Sequence, residues 1–384
     1  MAQQHLDPTD PMAGAVTGDA LAGYLRAQAT EFLRALRLHR ETGGGTANGG
    51  SEESVDAARA LRRSARRISA SLHTFRPLLD TDWSEAIRPE LAWLSGTLAM
   101  EHAYAARLER LLLALHRLSG AAVLPAQTGV AGVPGASRSA GSGSTDASPG
   151  SRAGVGPQKG EPAEAGPPAH PAATPERGNL TVGAAKAGAL LERQLTLART
   201  RAHSTALQAL GSSRFHAVAD NIAVLASEVP LTPAAATADL RPLAAAAEER
   251  LTDAVTALPL VTAGHPYNAE ALIHGLSPDP APHPQDAPWH QVRLLLRLHR
   301  YAREVLHGDS GPVDVRLLAT GQSLNRHRDA SEAAAAAAQA ARTPRIAPAT
   351  AYALGVLHAD QRHEVEAARF AFQQSWERQT VGTP

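Results

Sequence analysis

Two segments of this chain share one spacing of basic residues, and this repeated pattern constrains the fold more than any other feature. In each segment the cations recur at positions i, i+3 and i+7, which places all three on one side of a helix. They are Arg59, Arg62 and Arg66 in the first segment and His290, Arg293 and Arg297 in the second. The sequence therefore predicts two helices that each present a basic stripe.

Apolar residues run along the other side of the first segment. They follow the alternating three- and four-residue spacing of a packed helix. The positions predicted to be buried are Val55, Ala58, Leu61, Ala65, Ile68, Leu72 and Phe75. We therefore expect each basic helix to bury one edge in the protein core and to leave its basic edge available to a ligand.

The charge of these stripes differs from that of an ordinary exposed helix, which mixes signs because like charges four residues apart destabilise it. No acid lies between Arg59 and Arg76, and Glu304 is the one acid between His290 and His307. The cations are mostly arginine, whose planar guanidinium can donate two parallel hydrogen bonds to a phosphate. The pattern thus indicates a surface that binds a polyanion.

Helical periodicity recurs along the rest of the chain and no convincing strand is present, so the predicted class is all-α. The predicted order is a disordered N-terminal tail at 1–16, a first helical half at 17–118, a disordered linker at 119–180, and the remaining helices at 181–380. The linker is rich in Gly, Pro, Ser and Ala, and such a composition cannot bury enough apolar surface to order itself.

Local signals predict where two of the helices begin. Asp82 and Glu85 have the spacing of a capping box, which predicts a helix that opens at Asp82. Thr232 followed by Pro233 predicts an N-cap and a first-turn proline. The helix that starts there is expected to include Leu251.

Composition excludes several classes of protein. The 37 basic residues balance the 37 acidic ones, so the chain as a whole is not a basic coat for nucleic acid. It has no cysteine, which excludes a disulfide framework, a cysteine-containing zinc site and a thiol nucleophile. The first residues lack a basic region followed by an apolar core, and no apolar run reaches the length of a membrane span. We therefore expect no membrane association and a cytoplasmic location.

The second basic segment resembles the signature of the CHAD family, the conserved histidine α-helical domain. That signature is a helix with the pattern His-x-x-Arg-x-x-x-Lys-x-x-Arg-Tyr. Its positions correspond in this chain, with arginine in place of the lysine, to His290, Arg293, Arg297, Arg300 and Tyr301. The resemblance extends over nearly the whole chain apart from the N-terminal tail and the linker.

Two further elements of the family lie later in the sequence. Its His-x-Asp element corresponds to residues 327–329, and its Leu-Gly-x-Leu-His element corresponds to residues 354–358. The first half resembles the family's arginine-rich helix less closely, because Arg59 stands where the family has a histidine. The second half is therefore expected to contribute more to binding than the first.

The resemblance implies an all-α fold of two four-helix bundles related by pseudo-two-fold symmetry. Basic helices of both halves would line a central groove or pore that binds inorganic polyphosphate, and the protein would associate with polyphosphate granules. The residues expected to bind polyphosphate are Arg59, Arg62, Arg66, Arg67, His290, Arg293, Arg297, Arg300, His327 and His358.

A metal site and an enzyme active site fit the sequence less well. The chain has 17 histidines, but His358 and His363 are five positions apart, whereas a two-histidine site on a helix needs a spacing of four. There is no glycine-rich phosphate loop, serine nucleophile elbow or cluster of carboxylates. The sequence therefore predicts no metal, no cofactor and no catalytic residues.

Nucleic acid is the main competing ligand, since it is also a chain of phosphates. Aromatic residues make up 4% of the chain, so platforms for base stacking are scarce. No helix-turn-helix or similar signature is present. The sequence favours inorganic polyphosphate over a specific nucleic acid, and it leaves open a helical scaffold or regulatory interaction protein that has lost polyphosphate binding.

Overall fold

A computed structural model of the chain describes residues 16–43, 50–120, 175–265, 272–273, 275–276, 283–308 and 314–377. Within these ranges the chain forms α-helices and short 3₁₀ turns and contains no β-strand, so the predicted all-α class is confirmed. The helices are α1 (Gly18–Gly43), α2 (Gly50–Thr74), α3 (Thr81–Ser119), α4 (Pro175–Leu210), α5 (Ser213–Ser227), α6 (Arg241–Thr256), α7 (Leu260–Ala263), α8 (Ala287–His307), α9 (Val315–Ala341) and α10 (Pro348–Glu377).

The first apolar core lies between α1, α2, α5 and the N-terminal half of α3. It contains fully buried side chains from each of these helices, among them Phe32, Ile68, Leu91 and Ile222. Burial of a side chain of this size stabilises the fold by about 1.5–3 kcal/mol relative to its exposure. The apolar edge of α2 is thereby fixed against the core, and its basic edge faces away from it.

The apolar seam predicted along α2 is largely confirmed. It holds for residues that are at most 1% exposed, namely Leu61, Ala65, Ile68, Leu72 and Phe75. The prediction is wrong at the N-terminal end, where Val55 is 42% exposed and Ala57 rather than Ala58 is buried. Ala57 lies four positions before Leu61, so the seam steps back by four residues at this turn and not by three.

The helix α3 connects two of the apolar cores. Its 39 residues span roughly 58 Å at the rise of an α-helix. Ile87 and Leu91 belong to the first core, whereas Leu111 and Leu115 belong to a second core that they share with α4, α9 and α10. The predicted halves 17–118 and 181–380 therefore do not have separate cores. The pseudo-two-fold symmetry stays a prediction.

Two predicted segment boundaries differ from the structure. The helix α4 begins at Pro175, so the predicted linker 119–180 ends too late, because its last six residues already belong to a helix. Val16 accepts a hydrogen bond from the backbone of Leu240 at 2.9 Å, although it was assigned to the tail. The rest of the predicted tail, 1–15, and most of the linker, 121–174, lie outside the described residues.

Both predicted helix starts are wrong. The N-cap of α3 is Asp80, whose carboxylate accepts a hydrogen bond from the backbone N–H of Trp83 at 2.8 Å, and not Asp82. Thr232 precedes only a short 3₁₀ turn, Pro233–Ala236, and α6 begins separately at Arg241. In the first case the aspartate two positions earlier supplies the acceptor; in the second, Thr232 makes no capping hydrogen bond that would extend the helix.

Candidate anion-binding site

The fold brings arginines from three helices to one place. The helix α2 packs against α8, and α8 packs against α9. Guanidinium groups of all three helices lie close enough to act on one another electrostatically. We call this group the arginine cluster; it consists of Arg62 and Arg66 of α2, Arg293 and Arg297 of α8, and Arg328 of α9. The basic stripes of α2 and α8 therefore lie close to each other.

Burial and mutual repulsion set the electrostatics of the arginine cluster. Burial, together with the charges of Arg297 and Arg328, lowers the pKa of Arg293 to about 9. Burial and the neighbouring Arg62 lower the pKa of Arg66 to about 10. Both groups stay charged at neutral pH, so the cluster is a concentration of positive charge in a partly desolvated place.

The partners of these arginines in the protein are neutral. Arg293 Nε donates to Asn325 Oδ1 at 2.8 Å, and Arg66 Nε donates to Ser95 Oγ at 3.4 Å. Across the described ranges, none of the four arginines contributed by α2 and α8 has an acid within ion-pair distance. Since a desolvated charge needs a counter-ion, these four groups are available to an anionic ligand.

Arg328 is a member of the cluster that was not among the predicted site residues. Its guanidinium lowers the pKa of Arg62, Arg293 and Arg297, after the larger effect of burial, so it lies beside all three. Unlike them it has acid partners, with Asp329 and Glu332 each at 3.2 Å. It could have been found because it is the middle residue of the His-x-Asp element in the sequence.

Three of the predicted arginines lie outside the cluster. Arg59 is exposed and forms an ion pair with Asp56 at 2.8 Å. Arg67 forms an ion pair with Glu304 at 2.7 Å and also lines a cavity of about 520 Å³ beside the cluster, as does Arg300. We call this cavity the side pocket; it lies between α1, α2, α8 and the start of α9.

The predicted histidines occupy three different environments. His290 is half-buried beside the cluster, and burial lowers its pKa, with Arg293 adding to the effect and Asp286 opposing it. His327 is 1% exposed, stacks on Trp289 and meets the edge of the His290 ring at a centroid distance of 5.5 Å. It therefore lies behind His290 as seen from the arginine cluster, where it can position His290 but does not face solvent.

His358 lies on α10, where that helix packs against α9. Its Nδ1 is 3.0 Å from the carbonyl oxygen of Ala334, so Nδ1–H donates this hydrogen bond. The neighbouring Leu354 and Leu357 belong to the second apolar core. A role in binding polyphosphate stays a prediction for each of the three histidines.

The structure also bears on two other classes of site. Within the part of the chain that it describes, no three His, Asp or Glu side chains converge in a way that could hold a metal ion. No helix of these residues combines the length and apolar character that a bilayer span requires.

The described residues thus form an all-α fold in which arginines of facing helices lie together without an acid partner. The profile of the CHAD domain matches residues 27–338, which is most of the chain, and the protein therefore belongs to the CHAD family. Among solved structures, the chain is similar to "PptA from Streptomyces chartreusis". The two are 67% identical, the match covers 94% of this chain and 99% of that one, and the TM-score is 0.69. A search among curated proteins finds no match.

Proposed function

We propose that the arginine cluster binds inorganic polyphosphate without chemical conversion of the chain. The observation that carries this proposal is the set of four partly buried guanidiniums that have no acid partner among the described residues. A chain of phosphates supplies many negative charges along a slender backbone, and each well-formed hydrogen bond to a charged group contributes about 1.5–3 kcal/mol. Membership of the CHAD family, which is associated with polyphosphate, supports the same ligand.

Polyphosphate suits the cluster better than nucleic acid does. The cluster lies between packed helices, so its ligand must be narrow, and polyphosphate carries no bases. Tyr301 acts electrostatically on Arg66 and Arg297, and its ring contacts Arg67 by a cation–π interaction, but Phe, Trp and Tyr together make up only 4% of the chain. Binding of single-stranded nucleic acid normally uses successive aromatic platforms.

The protein would act as a binding module, with no cofactor and no catalytic residues, in the cytoplasm and at polyphosphate granules. A scaffold that has lost binding is the competing function, and the same experiment separates the two.

The test is a titration of the full chain with long-chain polyphosphate at two salt concentrations. We expect a dissociation constant in the micromolar range or below, and a steep loss of affinity with salt because several phosphate contacts release counter-ions. The double variant Arg293→Ala/Arg297→Ala should lose most of this affinity. A matched control is Arg34→Ala/Arg241→Ala, which removes two exposed, ion-paired arginines and the same total charge.

The outcomes separate the candidate functions. Binding that is lost in the cluster variant, retained in the control and resistant to excess single-stranded DNA supports the proposal. Equal losses in both variants would mean that overall charge, not the cluster, binds the ligand. Displacement by DNA would favour nucleic acid, and no binding by the wild-type protein would favour the scaffold.

A further inference from the structure

The side pocket contains an acid that is placed against the binding surface. Glu304 Oε2 accepts a hydrogen bond from Arg67 Nε at 2.7 Å and a second from the hydroxyl of Tyr24 at 3.0 Å. The side chains of Arg67 and Glu304 are 27% and 28% exposed, so this pair is partly shielded from water. The carboxylate is thus held by two donors from two other helices.

The pKa of Arg67 shifts in the opposite direction to the pKa of its neighbours in the cluster. Burial alone would lower the pKa of Arg67, but the hydrogen bond and charge of Glu304 raise it. Burial and adjacent cations lower the pKa of Arg66, the preceding residue. Two consecutive arginines of α2 therefore lie on opposite sides of a boundary, one with its counter-ion and one without.

Tyr301 marks this boundary. Its ring centroid is 5.7 Å from the guanidinium carbon of Arg67, and its hydroxyl group also acts electrostatically on Arg66 and Arg297. A phosphate chain that extends beyond Arg66 and Arg297 would next meet Arg67. There it would find a neutralised guanidinium and a carboxylate that repels it.

The rest of the side pocket could continue the anion-binding surface. Arg63 and Arg300 line it and have no acid partner among the described residues, whereas Arg303 is paired with Asp314 at 2.6 Å. The pocket volume of about 520 Å³ lies within the range of small-ligand sites. If Arg67 lost its ion pair with Glu304, the guanidiniums of Arg63, Arg67 and Arg300 would all be available next to the cluster.

We propose that Glu304 is an internal counter-ion that ends the polyphosphate-binding surface at Tyr301, by occupying the place of a phosphate on Arg67. This inference rests on the proposed function of the cluster. It assigns Glu304 as a positioning and specificity-determining residue, and it assigns the side pocket as a second stretch of anion-binding surface that the Arg67–Glu304 pair separates from the cluster.

The variant Glu304→Gln tests the inference, because it removes the charge and keeps the shape of the side chain. We expect affinity for long-chain polyphosphate to rise about ten-fold, and the slope of log affinity against log salt to steepen by about 0.7 to 0.9, the value for one additional phosphate contact. In the wild-type background Arg67→Ala should change affinity less than two-fold, whereas in the Glu304→Gln background it should remove the gain.

Glu31→Gln is the matched control. Glu31 lines the same pocket, but it forms its ion pair with the exposed Arg34 at 2.6 Å and not with Arg67. If Glu31→Gln raises affinity as much as Glu304→Gln does, the gain comes from the loss of any nearby negative charge, and the inference is overturned. Unchanged affinity in Glu304→Gln, or a large loss in Arg67→Ala alone, would overturn it as well.

A second readout does not depend on polyphosphate. Phenylglyoxal modifies accessible guanidiniums, and mass spectrometry can follow the modification of Arg67. We expect slow modification in the wild-type protein and in Glu31→Gln, and faster modification in Glu304→Gln. If wild-type protein fails to bind polyphosphate, the proposed function fails; the counter-ion inference then survives only if Glu304→Gln gains binding and Arg67 becomes reactive.

Discussion

Two groups of arginines among the described residues differ in whether their guanidiniums have acid partners. The arginine cluster is partly buried, and the partners that hydrogen-bond Arg66 and Arg293 are neutral. A second group, which we call the buried ion network, lies where α8 begins and consists of Arg362 and Arg369 of α10 with Asp286, His327 and Glu366. Asp286 accepts hydrogen bonds from Arg362 and from Arg369, each at 2.7 Å.

The comparison shows that burial alone does not identify a binding arginine. Arg362 and Arg369 are 2% and 4% exposed, so they are more buried than any member of the cluster, yet their charges are matched by two acids inside the network. Such a pair joins helices and leaves no charge for a ligand. A guanidinium that is desolvated without an acid is the informative case, because its cost to the fold is offset only when an anion binds.

The largest expected effect comes from breaking the network. Asp286→Asn would leave two buried guanidiniums with only Glu366 as counter-ion, and removal of one member of a buried ion pair destabilises a protein by about 3–5 kcal/mol. Urea denaturation of the full chain should show this loss. Asp239, which is about one-third exposed and is paired with Arg241, serves as control, and Asp239→Asn should leave the midpoint nearly unchanged. Equally small shifts of the urea midpoint in both variants would mean that the buried ion network does not stabilise the fold more than an exposed ion pair does.

The second-largest effect should be a loss of stability at acidic pH, caused by His327 of the buried ion network. Burial lowers the pKa of His327 to about 4, and Arg369 adds to this effect while the hydrogen bond to Asp286 opposes it. Above about pH 6.5 the imidazole is neutral in both the folded and unfolded states. Between about pH 6.5 and 4 only the unfolded state gains the proton, so stability should fall by about 1.4 kcal/mol per pH unit, about 3 kcal/mol in all.

Denaturation at several pH values measures this slope, and His327→Gln should flatten it. The neighbouring Asp286 does not titrate in this window, because its hydrogen bonds to His327 and Arg362 outweigh burial and keep its pKa well below the usual range. His290 faces His327 and is only half-buried. A slope that persists in His327→Gln but disappears in His290→Gln would assign the titration to His290, beside the arginine cluster, and not to the buried ion network.

The smallest effect should come from the cluster, and it should have the opposite sign. Arg297→Met removes a charge that its neighbours repel and keeps much of the side-chain volume, so we expect the free energy of unfolding to rise by about 1 kcal/mol at low salt. The gain should shrink as salt screens the cluster. Arg34→Ala, at an exposed ion pair, should stay within about 0.5 kcal/mol of the wild type. A loss of stability in Arg297→Met would mean that the cluster contributes to folding.

Much of the arginine cluster could be predicted from the sequence. The spacing of Arg62 and Arg66, and of Arg293 and Arg297, placed each pair on one side of its helix, and the structure shows that the two pairs meet. The prediction was less successful where a partner lies far away in the chain. Arg67 is predicted together with Arg66 as a binding residue, but Glu304, 237 positions later, gives it a counter-ion.

The histidines show the same limit. His290 and His327 were both assigned to the binding surface, yet only His290 lies beside the cluster, because His327 is enclosed by Trp289, Asp286 and Arg369. The ring of Trp289 and the network acids come from elements whose contact with α9 depends on how the helices pack. No local spacing around His327 reports that enclosure.

The sequence by itself determined the all-α class, most of the buried seam of α2 and the basic edges of α2 and α8. These features follow from residues within a few positions of each other, since the period of a helix fixes which side chains share a face. The tertiary structure decided which cations have an acid within reach, which histidine lies beside the arginine cluster, and that α3 connects two cores. Those features depend on contacts between helices far apart in the chain, where the packing of apolar edges sets the distances between charges.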